Sequence, residues 1–78
     1  MNGARRERLN GVLGLLHQAE SIIDQVHDEE KDSLDNVPEN LQLTDRFIAM
    51  ENAVDYLEDA IENVQEATRN IESAVNAR

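Results

Sequence analysis

DNVPENLQL, residues 35–43, is the only stretch of this chain that abandons a helical rhythm. Pro38 cannot continue a helix, and its ring biases Val37 away from helical geometry. On both sides, apolar residues recur three and four apart, the spacing of one face of a helix. The stretch is therefore a reversal between two helices. The spacing predicts a first helix over about residues 4–34, a connector over 35–44 and a second helix over about 45–77, with Thr44 or Asp45 as N-cap. At 1.5 Å per residue each helix is about 45–50 Å long. Equal lengths and a short connection make an antiparallel hairpin the expected fold. A bare reversal needs fewer residues and no hydrophobic ones. Leu34, Val37, Leu41 and Leu43 are therefore expected to form an apolar plug at the tip.

The second helix carries the cleaner pattern. Phe47, Met50, Val54, Leu57, Ile61, Val64, Ile71 and Val75 follow a 3-4 alternation interrupted only by Thr68. That is a heptad seam. Ala53, Ala60, Ala67 and Ala74 recur every seven residues beside it, a flank small enough for close approach. Glu51, Glu58, Gln65 and Glu72 mark the opposite, wet flank. In the first helix Leu9, Val12, Leu16, Ala19, Ile23 and Val26 keep the spacing, while Leu13, Leu15 and Ile22 widen the stripe. A stripe that broad implies more than one neighbour. The expectation is an all-α, coiled-coil-like hairpin dimerising into a four-helix bundle, with Leu13, Leu15, Leu16, Ile22 and Ile23 at the dimer interface.

Composition points the same way. Seventy-eight residues make one small domain, with one Phe, one Tyr and no Trp for its core. With no cysteine, disulfides and thiolate zinc sites are excluded. Small scaffolds without such staples gain stability by associating. No apolar run reaches the length of a membrane span, and VLGLL (residues 12–16) is too short for a secretory core. The expectation is a cytoplasmic protein that does not engage membranes.

Charge is unevenly distributed. Residues 20–66 hold fifteen acids and two bases, a balance of −13, within a chain of net −10. Residues 1–19 carry +2, from Arg5, Arg6 and Arg8 against Glu7. That balance opposes direct nucleic-acid binding and favours a partner with a basic surface. The densest run is DEEKDSLD, residues 28–35, at the C-terminal end of the first helix, where acids oppose the helix dipole. A dimer would carry about one charge per 2.3–2.5 Å of its length, against about one per 1.7 Å in duplex DNA. Nucleic-acid mimicry is thus physically available.

Catalytic and cofactor chemistry finds little support. Glu20, Asp24, His27 and Asp28 resemble the carboxylate–histidine ligand sets of metal-binding bundles. Such ligands must project into the core, and the seam points Ile23 and Val26 inward instead. The second helix has no inward carboxylate. His17 and His27 lack a Ser or Cys constellation. Gly11 and Gly14 follow no strand, so they form no phosphate loop; fraying of the first turns, or Asn10 as a later N-cap, would accommodate them. The expectation is a non-enzyme with no cofactor and no metal.

The tip and its surroundings resemble a family: small acidic helical-hairpin proteins of phages and prophages of Gram-positive bacteria, largely uncharacterised in function. Asp35, Asn36, Pro38, Glu39, Asn40, Leu41, Gln42 and Arg46 match that family's pattern, and Thr44-Asp45 stands where it has a Ser-Glu cap. The resemblance covers roughly residues 28–75. It implies a phage-borne inhibitor or modulator of a host defence or nucleic-acid-handling protein, in the manner of an anti-CRISPR protein. The expected partner-binding residues are Asp24, Asp28, Glu29, Glu30, Asp32, Asp35, Asn36, Glu39, Asn40, Glu58, Asp59 and Glu62. The alternative is a structural hairpin that docks into an assembly through its apolar faces. A small-ligand or metal-binding bundle ranks third.

Overall fold

A computed structural model describes residues 1–77. Helix α1 spans Gly3–Asp35 and helix α2 spans Asp45–Asn76. They pack antiparallel as a rod with extents of 59 × 15 × 13 Å. The all-α hairpin expected from the periodicity is the fold observed, with helix bounds within a residue of those expected.

Both helix starts are capped by short polar side chains. Thr44 Oγ1 accepts from Phe47 N at 3.2 Å and donates to Leu41 O at 2.8 Å, closing α2 onto the connector. Asn2 Oδ1 accepts from Arg5 N at 2.9 Å, satisfying one of the free N–H groups of the first turn. Helix α1 therefore starts at Gly3 and runs through Gly11 and Gly14, without the later cap at Asn10 or the frayed start expected from the glycines. Arg6 holds that end from outside, its Nε donating to Val75 O at 3.1 Å.

The connector is built around Pro38. Asn36 ends α1, its N–H and Nδ2 both donating to Asp32 O, at 3.2 and 2.9 Å. Pro38 then opens a 3₁₀ turn over Glu39–Leu41, with Leu41 N donating to Pro38 O at 2.9 Å. Only half of the expected apolar plug forms. Leu34 and Val37 are half-buried, but Leu41 is exposed and Leu43 is 93 % exposed. For Leu43 the reason is local: Thr44 must stand at the helix mouth to cap it, which turns the preceding side chain into solvent.

The core between the helices is thin. Among the described residues, only Val54 (4 % exposed) and Thr68 (9 %) are buried. The inward positions of α2 follow the expected seam, with Thr68 in it and its hydroxyl donating to Val64 O at 3.0 Å. Helix α1 differs from expectation. Its half-buried line runs Leu9, Leu13, Leu16, Glu20, Ile23, His27, Glu30 and Leu34, with Val12 and Ala19 of the expected seam half-buried beside it. Val26, expected to face inward, is 44 % exposed, and His27 takes that place with its side chain 17 % exposed. Leu34 at the tip joint sets the phase. Counting back three and four from Leu34 reaches Glu30, His27 and Ile23, and Val26 lies off that line.

A candidate interaction surface with two unlike faces

The inward lines divide the rod into two broad faces. On each helix, the residue after an inward position turns about 100° one way and the residue before it turns about 100° the other way. Because the helices are antiparallel, the residues after the inward positions of both helices fall on the same side. His27 makes that visible. Its Nδ1 lies 3.1 Å from Asp28 Oδ1 on α1, and its Nε2 lies 3.0 Å from Glu58 Oε1 on α2. Asp28 and Glu58 each follow an inward position.

This first face is acidic. It exposes Asp24, Asp28 and Asp35 from α1 and Glu51, Asp55, Glu58, Glu62 and Glu72 from α2. Lys31, lying 3.5 Å from Asp35, and Arg69, exposed on the same side of α2, answer only part of that charge. His27 sits at the centre of the face between two carboxylates, whose hydrogen bonds raise its pKa above 6.5, with Glu58 the larger contributor and Asp28 next. Donation from both ring nitrogens requires the imidazolium. The side chain is thus a proton-dependent tie between the helices.

The second face carries no charge over its middle. Between Arg8 and Glu29, the α1 residues preceding the inward line are Val12, Leu15, Ala19, Ile22 and Val26. Leu15 is 65 % and Ile22 60 % exposed. Beside them, α2 presents Ala49, Ala53, Tyr56, Ala60 and further small or amide residues. Two open grooves lie at the ends of this face. One, of about 460 Å³, lies at the tip between Ser33, Val37, Pro38, Arg46 and Phe47. The other, of about 370 Å³, lies at the start of α1 between Met1, Arg5, Arg8 and Val12.

The residues singled out in the sequence are dispersed over this geometry. Asp24, Asp28, Asp35, Glu58 and Glu62 share the acidic face. Glu29 and Asp32 turn away from it around α1, and Asp59 is exposed on the back of α2. Glu30 is half-buried on the inward line. At the tip, Asn36 is occupied in ending α1, while Glu39 and Asn40 are exposed in the 3₁₀ turn. Of the five residues expected at a second interface, Leu13, Leu16 and Ile23 are half-buried on the α2-facing line; Leu15 and Ile22 are free. Sequence reasoning missed His27 as an inter-helix tie; its position seven before Leu34 was the available signal. Of Glu20, Asp24, His27 and Asp28, His27 and Asp28 meet at 3.1 Å, and among the described residues no group of three such side chains could hold a metal ion. No described helix is long and apolar enough to cross a membrane.

The fold and the two faces define an amphipathic antiparallel helical hairpin. Comparison with protein families, curated proteins and solved structures returns no match to this chain.

Proposed function

We propose that this hairpin is a non-enzymatic, cytoplasmic protein-binding module whose acidic face meets a basic surface on a host protein. The observation that carries the proposal is the collection of Asp24, Asp28, Asp35, Glu51, Glu58 and Glu62 on one face, with little counter-charge. Dense like charge on a rigid rod steers a basic partner and disfavours nucleic acid and anionic lipid. The tip motif's likeness to small phage and prophage proteins supports a phage-borne inhibitor or modulator of a host defence or nucleic-acid-handling protein, acting as a nucleic-acid mimic. The hairpin works as a homodimer, a four-helix bundle in which the uncharged faces are covered.

The test is a pull-down from bacterial lysate at low and high salt, with wild type and a variant carrying D24N, D28N, E58Q and E62Q. A basic protein retained by wild type at low salt, released at high salt and lost by the variant is the expected result. Retention that ignores both salt and neutralisation refutes the proposal. A second reading, docking into an assembly through the apolar face, is favoured by the exposure of Leu15 and Ile22. It predicts the reverse pattern: retention survives neutralisation and is lost in L15Q/I22Q.

A further inference from the structure

We propose that the second copy packs α1 against α1 in antiparallel orientation, about a two-fold axis passing at Ala19 and Asn63. This rests on the paired-hairpin reading above and adds the face, the orientation and the register.

Helix α1 carries two seams. The first faces α2. The second, Val12, Leu15, Ala19, Ile22 and Val26, is the same 3-4 line displaced by one residue, so it lies about 100° around the helix. Two contact lines at roughly a right angle are what each helix of a four-helix bundle requires. In the single hairpin Leu15, Ile22 and Val26 of this seam are 65, 60 and 44 % exposed, while Val12 and Ala19 are half-buried.

The charges that end this seam identify its occupant. Arg8 closes it at one end and Glu29 at the other. Antiparallel pairing about Ala19 sets Val12 level with Val26 of the partner subunit and Leu15 within one residue of Ile22 of the partner subunit. It also brings Arg8 onto Glu29 of the partner subunit, twice over by symmetry. Parallel pairing would instead oppose like charges at both ends. Stacking α1 on the partner's α2 leaves the charges unanswered. The ties from Arg6 to Val75 and from His27 to Glu58 put Arg8 level with residues 73–77 and Glu29 level with residues 52–56. Those stretches offer only Ala74, Ala53 and Tyr56 on the uncharged face.

Helix α2 agrees independently with the same axis. The two ties place Ala19 level with residues 62–66, so the axis crosses α2 at Asn63. Asn63 then meets Asn63 of the partner subunit, and Ala60 meets Ala67 of the partner subunit. The other amide of this line, Asn70, falls level with Tyr56 of the partner subunit, and a self-paired asparagine at the axis favours this register as a core asparagine does in a coiled coil.

The absence of cysteine makes the register directly readable. In A19C and in N63C, the new thiols meet across the axis, so mild oxidation should give a disulfide-linked dimer of each. H17C, on the acidic face, should give none. Sedimentation of the unmodified chain should report a dimer, which R8E weakens on the order of tenfold and R8E/E29R restores. Helical circular dichroism of each variant reports its folding separately. A monomer in sedimentation overturns both the paired-hairpin reading and this register. A dimer in which A19C and N63C fail to cross-link, or in which E29R does not rescue R8E, overturns the register alone.

Discussion

Replacing Gly11 and Gly14 with alanine should stabilise the protein. Both lie inside α1, neither has a positive φ, and a Cβ added at either meets nothing within 4 Å. The new methyl groups therefore meet no steric cost, and the helix-propensity term stands alone. Glycine is less favourable than alanine in a helix interior by about 1 kcal/mol, so the double variant should gain about 2 kcal/mol. A domain of this size is stable by about 4–12 kcal/mol in all. The gain corresponds to a rise in melting temperature of about 8–16 °C, at about 4–8 °C per kcal/mol. Circular dichroism followed through thermal and urea unfolding, at one fixed protein concentration, measures it. The single variants test the helix start. If α1 begins at Gly3, G11A and G14A should contribute alike. A gain from G14A with none from G11A means that the helix begins after Asn10, and an unchanged double variant refutes the helical assignment of this whole segment.

Three further outcomes follow from named contacts. V54A removes two methyl groups from the best-buried apolar position and should cost about 2 kcal/mol in urea unfolding, since a thin core can partly collapse into the gap. T44A removes the hydroxyl that caps α2 and ties it to Leu41 O, a loss of about 1 kcal/mol on the same measurement. The third concerns pH. Because the folded protein holds the His27 pKa above 6.5, its contribution is complete below that value and declines as pH rises through the raised one. The melting temperature of wild type should fall across that interval and that of H27Q should stay flatter; parallel curves would remove His27 from the account.

Helix α2 and the reversal were legible from sequence because one apolar line and one proline leave little choice. Helix α1 was legible as a helix, but its rotation was not. Its apolar residues populate two seams one residue apart, as Leu15 beside Leu16 and Ile22 beside Ile23. Beyond Ile23 the solvent-facing seam keeps an apolar residue, Val26, while the α2-facing seam continues through His27 and Glu30. A pattern that follows hydrophobicity therefore slides onto the outer seam. Leu34, packed at the tip, decides between them, and that choice depends on tertiary contact. The acidic face was legible only as net charge. Which carboxylates share a side depends on the antiparallel register, so Glu29 and Asp59 part from Asp28 and Glu58 although each pair is adjacent in sequence.

The Arg6–Val75 bond has a kinetic meaning. It joins residues 69 apart in the chain, whereas the contacts around the tip close over short loops. Closing a long loop is entropically dearer than closing a short one, and local pairings form sooner. The hairpin should therefore zip from Pro38 outward, with the pairing of its two ends the last event in folding. The same order reversed governs opening: amide hydrogens near Arg6 and Val75 should exchange first, and those flanking Val54 last.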